Sequence, residues 1–204
     1  KGILSLEEVQ KLFAAEWNDF KGYIGNLLAA STGLRLGELQ ALTLRDIHLE
    51  KNYIHVRRSW CKRYHQFNQT TKTGKARNIF IPDKVKYELI RLIDLNPYPD
   101  NPDSFLFFAE KIDTKPIEAE ILNRSLHKAL EKIGIDEAMR KTRNITFHSW
   151  HWLNSLLINS KIPIQKIQSI TGHLTSDMSQ HYYHIDEMND VLQITGNIFS
   201  EHVH

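Results

Sequence analysis

The sequence has a single cysteine, no long apolar run and no signal-peptide pattern. Cys61 cannot form an internal disulfide, which fits a reducing compartment, and we expect it to be a passive side chain. No stretch approaches the ~20 apolar residues of a membrane span, so no membrane partner is expected. The chain opens at Lys1 without an initiator methionine, and we expect a cytosolic fragment of a longer protein.

The sequence also lacks internal repeats and low-complexity segments, and it shows no carboxylate cluster suited to Mg²⁺. Its 204 residues are 41% hydrophobic, which is enough to bury a full core in one domain.

Acidic residues are absent from one long basic stretch, although the net charge is only +2. Between Arg57 and Arg77 the cations are Arg57, Arg58, Lys62, Arg63, Lys72, Lys75 and Arg77. Unbalanced cations over such a length suit contacts with DNA phosphates, because neutralised phosphates release counterions. A solvated basic hairpin is the alternative.

Periodicity predicts a mainly α fold, with about seven helices and two or three short strands that form a small antiparallel sheet. A capping box of Ser5 and Glu8 starts the first helix, and Gly33 is placed to end the second. The predicted helices are Leu4–Asn18, Phe20–Ser31, Leu36–Ala41, Pro82–Asn96, Pro116–Ile133, one starting near Ser149, and Ile164–Ile170. The predicted strands are Asn52–Trp60 and Asn78–Ile81, with a turn at Thr71–Lys75 and a buried segment at Ser104–Ala109.

Three motifs stand out along the chain. The first is Thr32-Gly-Leu-Arg-Leu-Gly-Glu-Leu39, and the second is Thr146-Phe-His-Ser-Trp-His151. The third is the pair Gly172-His173, followed nine residues later by Tyr182. In this order they resemble the tyrosine recombinase (phage integrase) family, and the resemblance runs from about residue 5 to about residue 190.

The resemblance implies the fold of that family's catalytic domain and a role for each matching residue. Tyr182 would be the nucleophile that forms a 3′-phosphotyrosine and releases a 5′-hydroxyl, with Tyr183 as the neighbouring alternative. Arg35, His148 and His173 would donate hydrogen bonds to the phosphate oxygens. For Arg35 and Glu38 alone, an ordinary ion pair within a helix would be the simpler interpretation.

In the same family a lysine at the tip of a β-hairpin enters the site. Lys72, in Thr71-Lys-Thr-Gly, matches that position, and Lys75 is the alternative. The chemistry needs a mobile ammonium group that can protonate the departing alkoxide. No metal ion or cofactor is required, because cations and imidazoles carry the charge.

One element of the family pattern is broken. The family has an arginine three residues after the position of His148, and His151 stands there instead. His148 and His173 are 25 residues apart, about one fewer than usual, so the arginine is either substituted or deleted. A catalytically impaired DNA-binding relative is therefore the alternative function. Arg140 and Arg143 precede the motif and are candidate contacts to the DNA backbone.

A zinc protein is a third interpretation, based on His148-x-x-His151 and His181-x-x-His184. Two histidines at this spacing often occur by chance, and metal sites usually add cysteine or carboxylate ligands.

The resemblance implies double-stranded DNA as partner, a homotetramer on DNA (with a monomer for the isolated domain), and bacterial or phage-encoded action in the cytoplasm on the nucleoid. Residues 1–190 would be the catalytic domain, and residues 191–204 a C-terminal tail. The family's N-terminal DNA-clamping domain is expected to be absent, so DNA binding should be weak.

Overall fold

The computed structural model describes residues 2–68, 76–109, 112–151, 153, 156–157 and 196. The α-helices in this part of the chain are α1 (Leu6–Ala14), α2 (Phe20–Thr32), α3 (Leu36–Gln40), α4 (Asp83–Asp94), α5 (Ala119–Lys132) and α6 (Glu137–Thr142). The strands are β1 (Ile47–His48), β2 (Tyr53–Val56), β3 (Ser59–Cys61), β4 (Gln66–Asn68), β5 (Arg77–Phe80), β6 (Phe108–Ala109) and β7 (Ile112–Pro116). Short 3-10 helices span Leu44–Asp46, Leu49–Lys51 and Phe147–His151. The predicted mainly α fold with small antiparallel sheets is confirmed.

Helix α1 begins at the predicted capping box. Ser5 Oγ accepts a hydrogen bond from the Glu8 amide at 3.1 Å, and Glu8 Oε2 accepts one from the Ser5 amide at 2.8 Å. These reciprocal bonds satisfy two amides that no helical carbonyl can reach. The buried face of α1 carries Val9, Leu12 and Phe13.

Helix α2 is the central element, and nearly all of its residues are buried. It packs against α4 and α5. Gly22 allows the close approach of α5, because a Cβ atom at this position would lie 2.2 Å from Ser125 Oγ. Gly33 ends the helix in the left-handed conformation with φ of 69°, as predicted.

The strands differ in part from the prediction. The main sheet has the antiparallel order β1-β2-β5, in which Tyr53 pairs with Phe80 and Val56 with Arg77. The predicted strand Asn52–Trp60 was wrong as one element, because the chain leaves the sheet after Val56 and β3 pairs with β4 in a separate hairpin. His65, with φ of 48°, closes that hairpin. The predicted turn at Thr71–Lys75 lies in the part of the chain between β4 and β5 that is not described.

The second half of the chain adds helix α5 to the core and the exposed helix α6. Helix α5 starts at Ala119 rather than at Pro116, because Pro116 pairs with Phe108 as the last residue of β7. Helix α6, which the sequence prediction missed, is capped by Asp136, whose carboxylate accepts from the Met139 amide at 2.8 Å. The predicted helix Ile164–Ile170 lies outside the described residues. None of the described helices is long and apolar enough to cross a membrane.

Candidate functional site

Arg35 lies at the junction between α2 and α3, where the sequence motif predicted it. Gly33 turns the chain out of α2, and Arg35 then takes the extended N-cap position of α3 with φ of −75° and ψ of 151°. Its carbonyl accepts the Leu39 amide at 2.9 Å, which is the first hydrogen bond of α3. The backbone of Arg35 is therefore fixed from both sides.

Glu38 holds the Arg35 side chain. This carboxylate is only 1% exposed, and its Oε2 accepts from the Arg35 amide at 3.1 Å while Oε1 accepts from Arg35 Nη1 at 3.0 Å. The ion pair considered from the sequence is thus present, but it is buried rather than solvated. Arg35 keeps 18% of its side chain exposed.

A second arginine, Arg77 of β5, binds the same carboxylate. Arg77 Nη1 donates to Glu38 Oε1 at 3.1 Å, and Nη2 donates to Oε2 at 2.8 Å. Burial raises the pKa of the Glu38 carboxyl, but the hydrogen bonds and charges of Arg77 and Arg35 outweigh it and leave that pKa below its ordinary value. Glu38 is therefore a carboxylate at neutral pH.

Gly37 brings α3 against the basic hairpin. A Cβ atom at Gly37 would lie 2.7 Å from the carbonyl oxygen of Trp60 in β3. Such a contact is too short for any side chain, so only glycine permits this packing. Gly37 thus sets the distance between α3 and the β3–β4 hairpin, whose turn carries Lys62 and Arg63.

His148 lies exposed on the 3-10 helix Phe147–His151, and its amide donates to Thr146 Oγ1 at 3.3 Å. Phe147 and Trp150, on either side of it, are buried. Trp150 Nε1 donates to Asn26 Oδ1 in α2 at 2.8 Å, and Asn26 is itself fully buried.

Asn26 lies six residues before the end of α2, about 9 Å along the axis at ~1.5 Å per residue. The same rigid helix therefore fixes the turn that carries His148 and ends just before Arg35. Asn26 was not predicted as a site residue, although a polar residue within the otherwise apolar run from Ile24 to Ala30 was an available signal.

Besides Arg77, two more cations of the acid-free stretch have acidic partners from elsewhere in the chain. Arg57 Nε donates to Asp46 Oδ1 at 2.7 Å, and about a third of the Arg57 side chain stays exposed. Lys62 pairs with Glu120 at the start of α5. A stretch without acidic residues in the sequence therefore has acidic residues beside it in the fold.

Two other cations of that stretch lie on aromatic rings. The Arg58 guanidinium lies 4.0 Å from the centre of the Phe67 ring, and its Nε donates to the Ala41 carbonyl at 3.3 Å. Burial, reinforced by the neighbouring charge of Arg57, lowers the pKa of Arg58. Arg63 lies 5.5 Å from the ring of Tyr64, which is exposed at the hairpin tip.

Arg143 joins the end of α6 to α1. Its Nη1 and Nη2 donate to Glu8 at 2.7 and 2.8 Å, and Nη2 also donates to the Ile3 carbonyl at 3.2 Å. The hydrogen bonds that Arg143 donates to the Glu8 carboxylate raise the pKa of Arg143. Arg143 therefore has a structural partner that the sequence analysis did not foresee.

A model of the phage integrase family matches residues 3–189. The chain belongs to the phage integrase family. It is 29% identical over 207 residues to the tyrosine recombinase XerA of Saccharolobus solfataricus, covering 98% of this chain and 60% of that protein. The integrase of Staphylococcus phage L54a is 27% identical over 173 residues, covering 79% of this chain and 47% of that integrase.

Solved structures share the fold of this phage integrase domain. The Tn1549 transposon integrase, solved in complex with circular intermediate DNA, has a TM-score of 0.66 at 21% identity and covers 95% of this chain and 66% of that one. The chain spans about 60% of the XerA relative's length.

Of the six candidate catalytic residues of this phage integrase domain, the structure describes the side chains of Arg35 and His148. The side chain of His151 lies outside the described residues, as do Lys72, His173 and Tyr182 entirely. The same holds for Lys75 among the candidate DNA contacts. Within the described residues, no group of three histidine, cysteine, aspartate or glutamate side chains is arranged to hold a metal ion.

Proposed function

We propose that this chain is the catalytic domain of a site-specific DNA recombinase that breaks and rejoins strands through a 3′-phosphotyrosine. The observation that carries the proposal is the Arg35 side chain, held at the start of α3 by the buried Glu38 in a chain of the phage integrase family. An ordinary ion pair on the surface of a helix keeps both partners in contact with water, whereas the Glu38 carboxylate is only 1% exposed.

In the proposed reaction the phenol of Tyr182 loses its proton to water, its oxygen attacks the scissile phosphorus, and the bond to the 5′-oxygen breaks. The electron pair of that bond leaves with the 5′-oxygen, which takes a proton from Lys72 and becomes a 5′-hydroxyl. The planar guanidinium of Arg35 binds the non-bridging oxygens, and His148 and His173 donate further hydrogen bonds as negative charge develops there. Rejoining is the reverse reaction with a new 5′-hydroxyl, so neither a metal ion nor a cofactor is needed.

We propose double-stranded DNA as the partner, bound in a homotetramer during strand exchange. The candidate phosphate contacts are Arg57, Arg58, Lys62, Arg63, Lys75 and Arg140. Arg77 and Arg143 were in the set predicted from the sequence, but both guanidinium groups bind carboxylates through two nitrogens. Residues 1–190 would form the catalytic domain and residues 191–204 the tail.

A relative that binds DNA without cutting it is the other candidate, and the missing arginine beside His151 is its support. The similar proteins favour the cutting function, because they are named recombinases and integrases. We therefore propose a slow recombinase rather than a passive DNA-binding protein.

The test begins with a DNA site selected from a randomised duplex library by this chain. The selected duplex is then made with a bridging sulfur in place of the 5′-oxygen, so that each cleavage leaves a 5′-thiol that rejoins poorly. We expect a detergent-stable protein–DNA adduct on a gel, which mass spectrometry maps to the peptide that contains Tyr182. Specific binding without any adduct would refute the recombinase and favour the non-cutting alternative.

A further inference from the structure

We propose that Arg77 is a positioning residue for the reaction, acting on Arg35 through Glu38. This inference rests on the proposed function, since it assigns Arg77 a part in the same site. Arg77 was predicted from the sequence as one of several DNA-contacting cations, and the geometry gives it a different role.

The first step of the argument is the asymmetry of the two arginines. Arg77 donates from both Nη atoms to both oxygens of Glu38, whereas the Arg35 guanidinium contacts Glu38 through Nη1. A two-nitrogen contact fixes the plane of a carboxylate as well as its distance. Arg77 therefore fixes the orientation of the carboxylate against which Arg35 is held.

The second step concerns charge. An isolated pair of Arg35 and Glu38 is neutral, and a neutral pair attracts a phosphate less strongly than a bare guanidinium does. Adding Arg77 gives the trio a net charge of about +1 at neutral pH, since arginine stays protonated. Glu38 can then hold Arg35 in place without cancelling the positive charge that the phosphate meets.

The third step is the burial of Arg77. Only 10% of its side chain is exposed, compared with 18% for Arg35. A DNA phosphate that bound Arg77 would have to displace a buried carboxylate, which is then left without a partner. Arg77 is therefore a poor phosphate contact, and a suitable support for one.

The fourth step is the position of Arg77 in the chain. It is the first residue of β5 and pairs with the buried Val56 of β2. Lys72, the proposed proton donor, is five residues earlier, within about 17 Å even for a fully extended chain. Arg77 follows Lys72 along the chain and binds Glu38 of α3. It therefore links the segment that carries the proposed proton donor to the helix that begins at Arg35.

The test compares the Arg77→Lys variant with the parent chain on two substrates. Lysine keeps the positive charge but cannot donate from two nitrogens to the Glu38 carboxylate. One is the selected duplex with the bridging sulfur, and the other also carries a methylphosphonate, which removes the charge of the scissile phosphate. Arg91→Lys is the matched control, because the Arg91 side chain is 65% exposed on α4, where it also pairs with a glutamate, Glu88.

We expect Arg77→Lys to slow adduct formation about 10–100-fold on the charged phosphate, the range seen when outer residues that orient metal ligands are removed. On the methylphosphonate, where a positioned Arg35 has less charge to stabilise, the deficit should shrink to within about threefold. DNA affinity and its salt dependence should match the control, since no phosphate contact is lost. An equal deficit on both substrates, or a shallower salt dependence, would overturn the proposal.

A second measurement needs no DNA, so that failure of the inference can be told from failure of the proposed function. Nitrogen-15 spectra follow the exchange of the Arg35 Nε proton with water, assigned by its loss in Arg35→Lys. We expect this exchange to be at least about tenfold faster in Arg77→Met than in the parent chain, because Glu38 is no longer fixed. Unchanged exchange would overturn the positioning role even if the chain cleaves DNA, and faster exchange would support it even if no adduct forms.

Discussion

Glu38→Gln is the substitution that best tests how the site is built. The change keeps the shape of the side chain but removes its charge, which leaves Arg35 and Arg77 facing each other without an anion. Both are mostly buried, with 18% and 10% of their side chains exposed. Removing one partner of a buried ion pair typically destabilises a protein by about 3–5 kcal/mol.

We therefore expect the free energy of unfolding to fall by about 3–5 kcal/mol, which corresponds to a loss in Tm of about 6–20 °C for a chain of this size. Urea unfolding monitored by tryptophan fluorescence measures the change, with the denaturant slope required to stay constant. Glu7→Gln is the control, because Glu7 pairs with Lys11 on the exposed face of α1. Surface pairs of this kind add little stability, so this variant should unfold like the parent chain.

The pH dependence of this difference has a definite sign. The pKa of Glu38 is lower in the folded chain than its ordinary value of 4.5. Its contribution to stability is therefore fully present above about pH 4.5, and it is lost as pH falls through the folded pKa. The gap between the parent chain and Glu38→Gln should narrow below that pH. A loss at pH 7 no larger than that of Glu7→Gln would refute the view of Glu38 as a buried anion that two arginines require.

Three further predictions concern the chemistry. Tyr182→Phe should abolish the covalent adduct while DNA binding persists, and Tyr183→Phe should be mild; the reverse result on a denaturing gel would move the nucleophile by one residue. Lys72→Ala should slow cleavage by about 10²–10⁴ on an all-oxygen substrate, and a 5′-sulfur leaving group should restore the rate because it needs no proton. Failure of that rescue would assign Lys72 to phosphate binding. An arginine inserted immediately before His151, if one was deleted, or His151→Arg, if one was substituted, should raise the cleavage rate by about 10²–10³. If neither variant is faster in single-turnover assays, another cation of the fold reaches the phosphate.

Local signals predicted the helices well, because the chemistry that starts and ends them is local. The capping box at Ser5 and the left-handed glycine at Gly33 involve residues at most a few positions apart. Helix α6 was missed because it is only six residues long and has no buried residue, so no apolar periodicity marked it. Its N-cap at Asp136 was the remaining signal.

The strands were harder to predict. The alternation that starts at Tyr53 does not show where the chain leaves the sheet, and the break after Val56 depends on pairing with β5. Pairing partners are set by contacts far apart in the sequence, whereas alternation reports only the two faces of one strand. Sequence periodicity therefore predicted the existence of a small sheet but not the separate β3–β4 hairpin.

The residues of the site also divide into those that local motifs predict and those that depend on contacts far apart in the sequence. Arg35 and Glu38 are three residues apart, and their pairing follows from helical geometry. Arg77 is 39 residues from Glu38, and Trp150 is 124 residues from Asn26. No local pattern indicates which residue such a side chain contacts, so the supporting roles of Arg77 and Asn26 could not be predicted, although the residues within the motifs were.

The basic stretch shows what this difference means for DNA binding. Seven cations without an acid between Arg57 and Arg77 suggest a strong positive surface. In the fold, acids from other elements pair with three of them, Arg57, Lys62 and Arg77, and these acids compete with a DNA phosphate for the same cations. An acid that stays beside a cation partly neutralises it, which reduces the number of counterions that the DNA releases on binding. We therefore expect the salt dependence of binding to correspond to fewer phosphate contacts than the seven cations suggest.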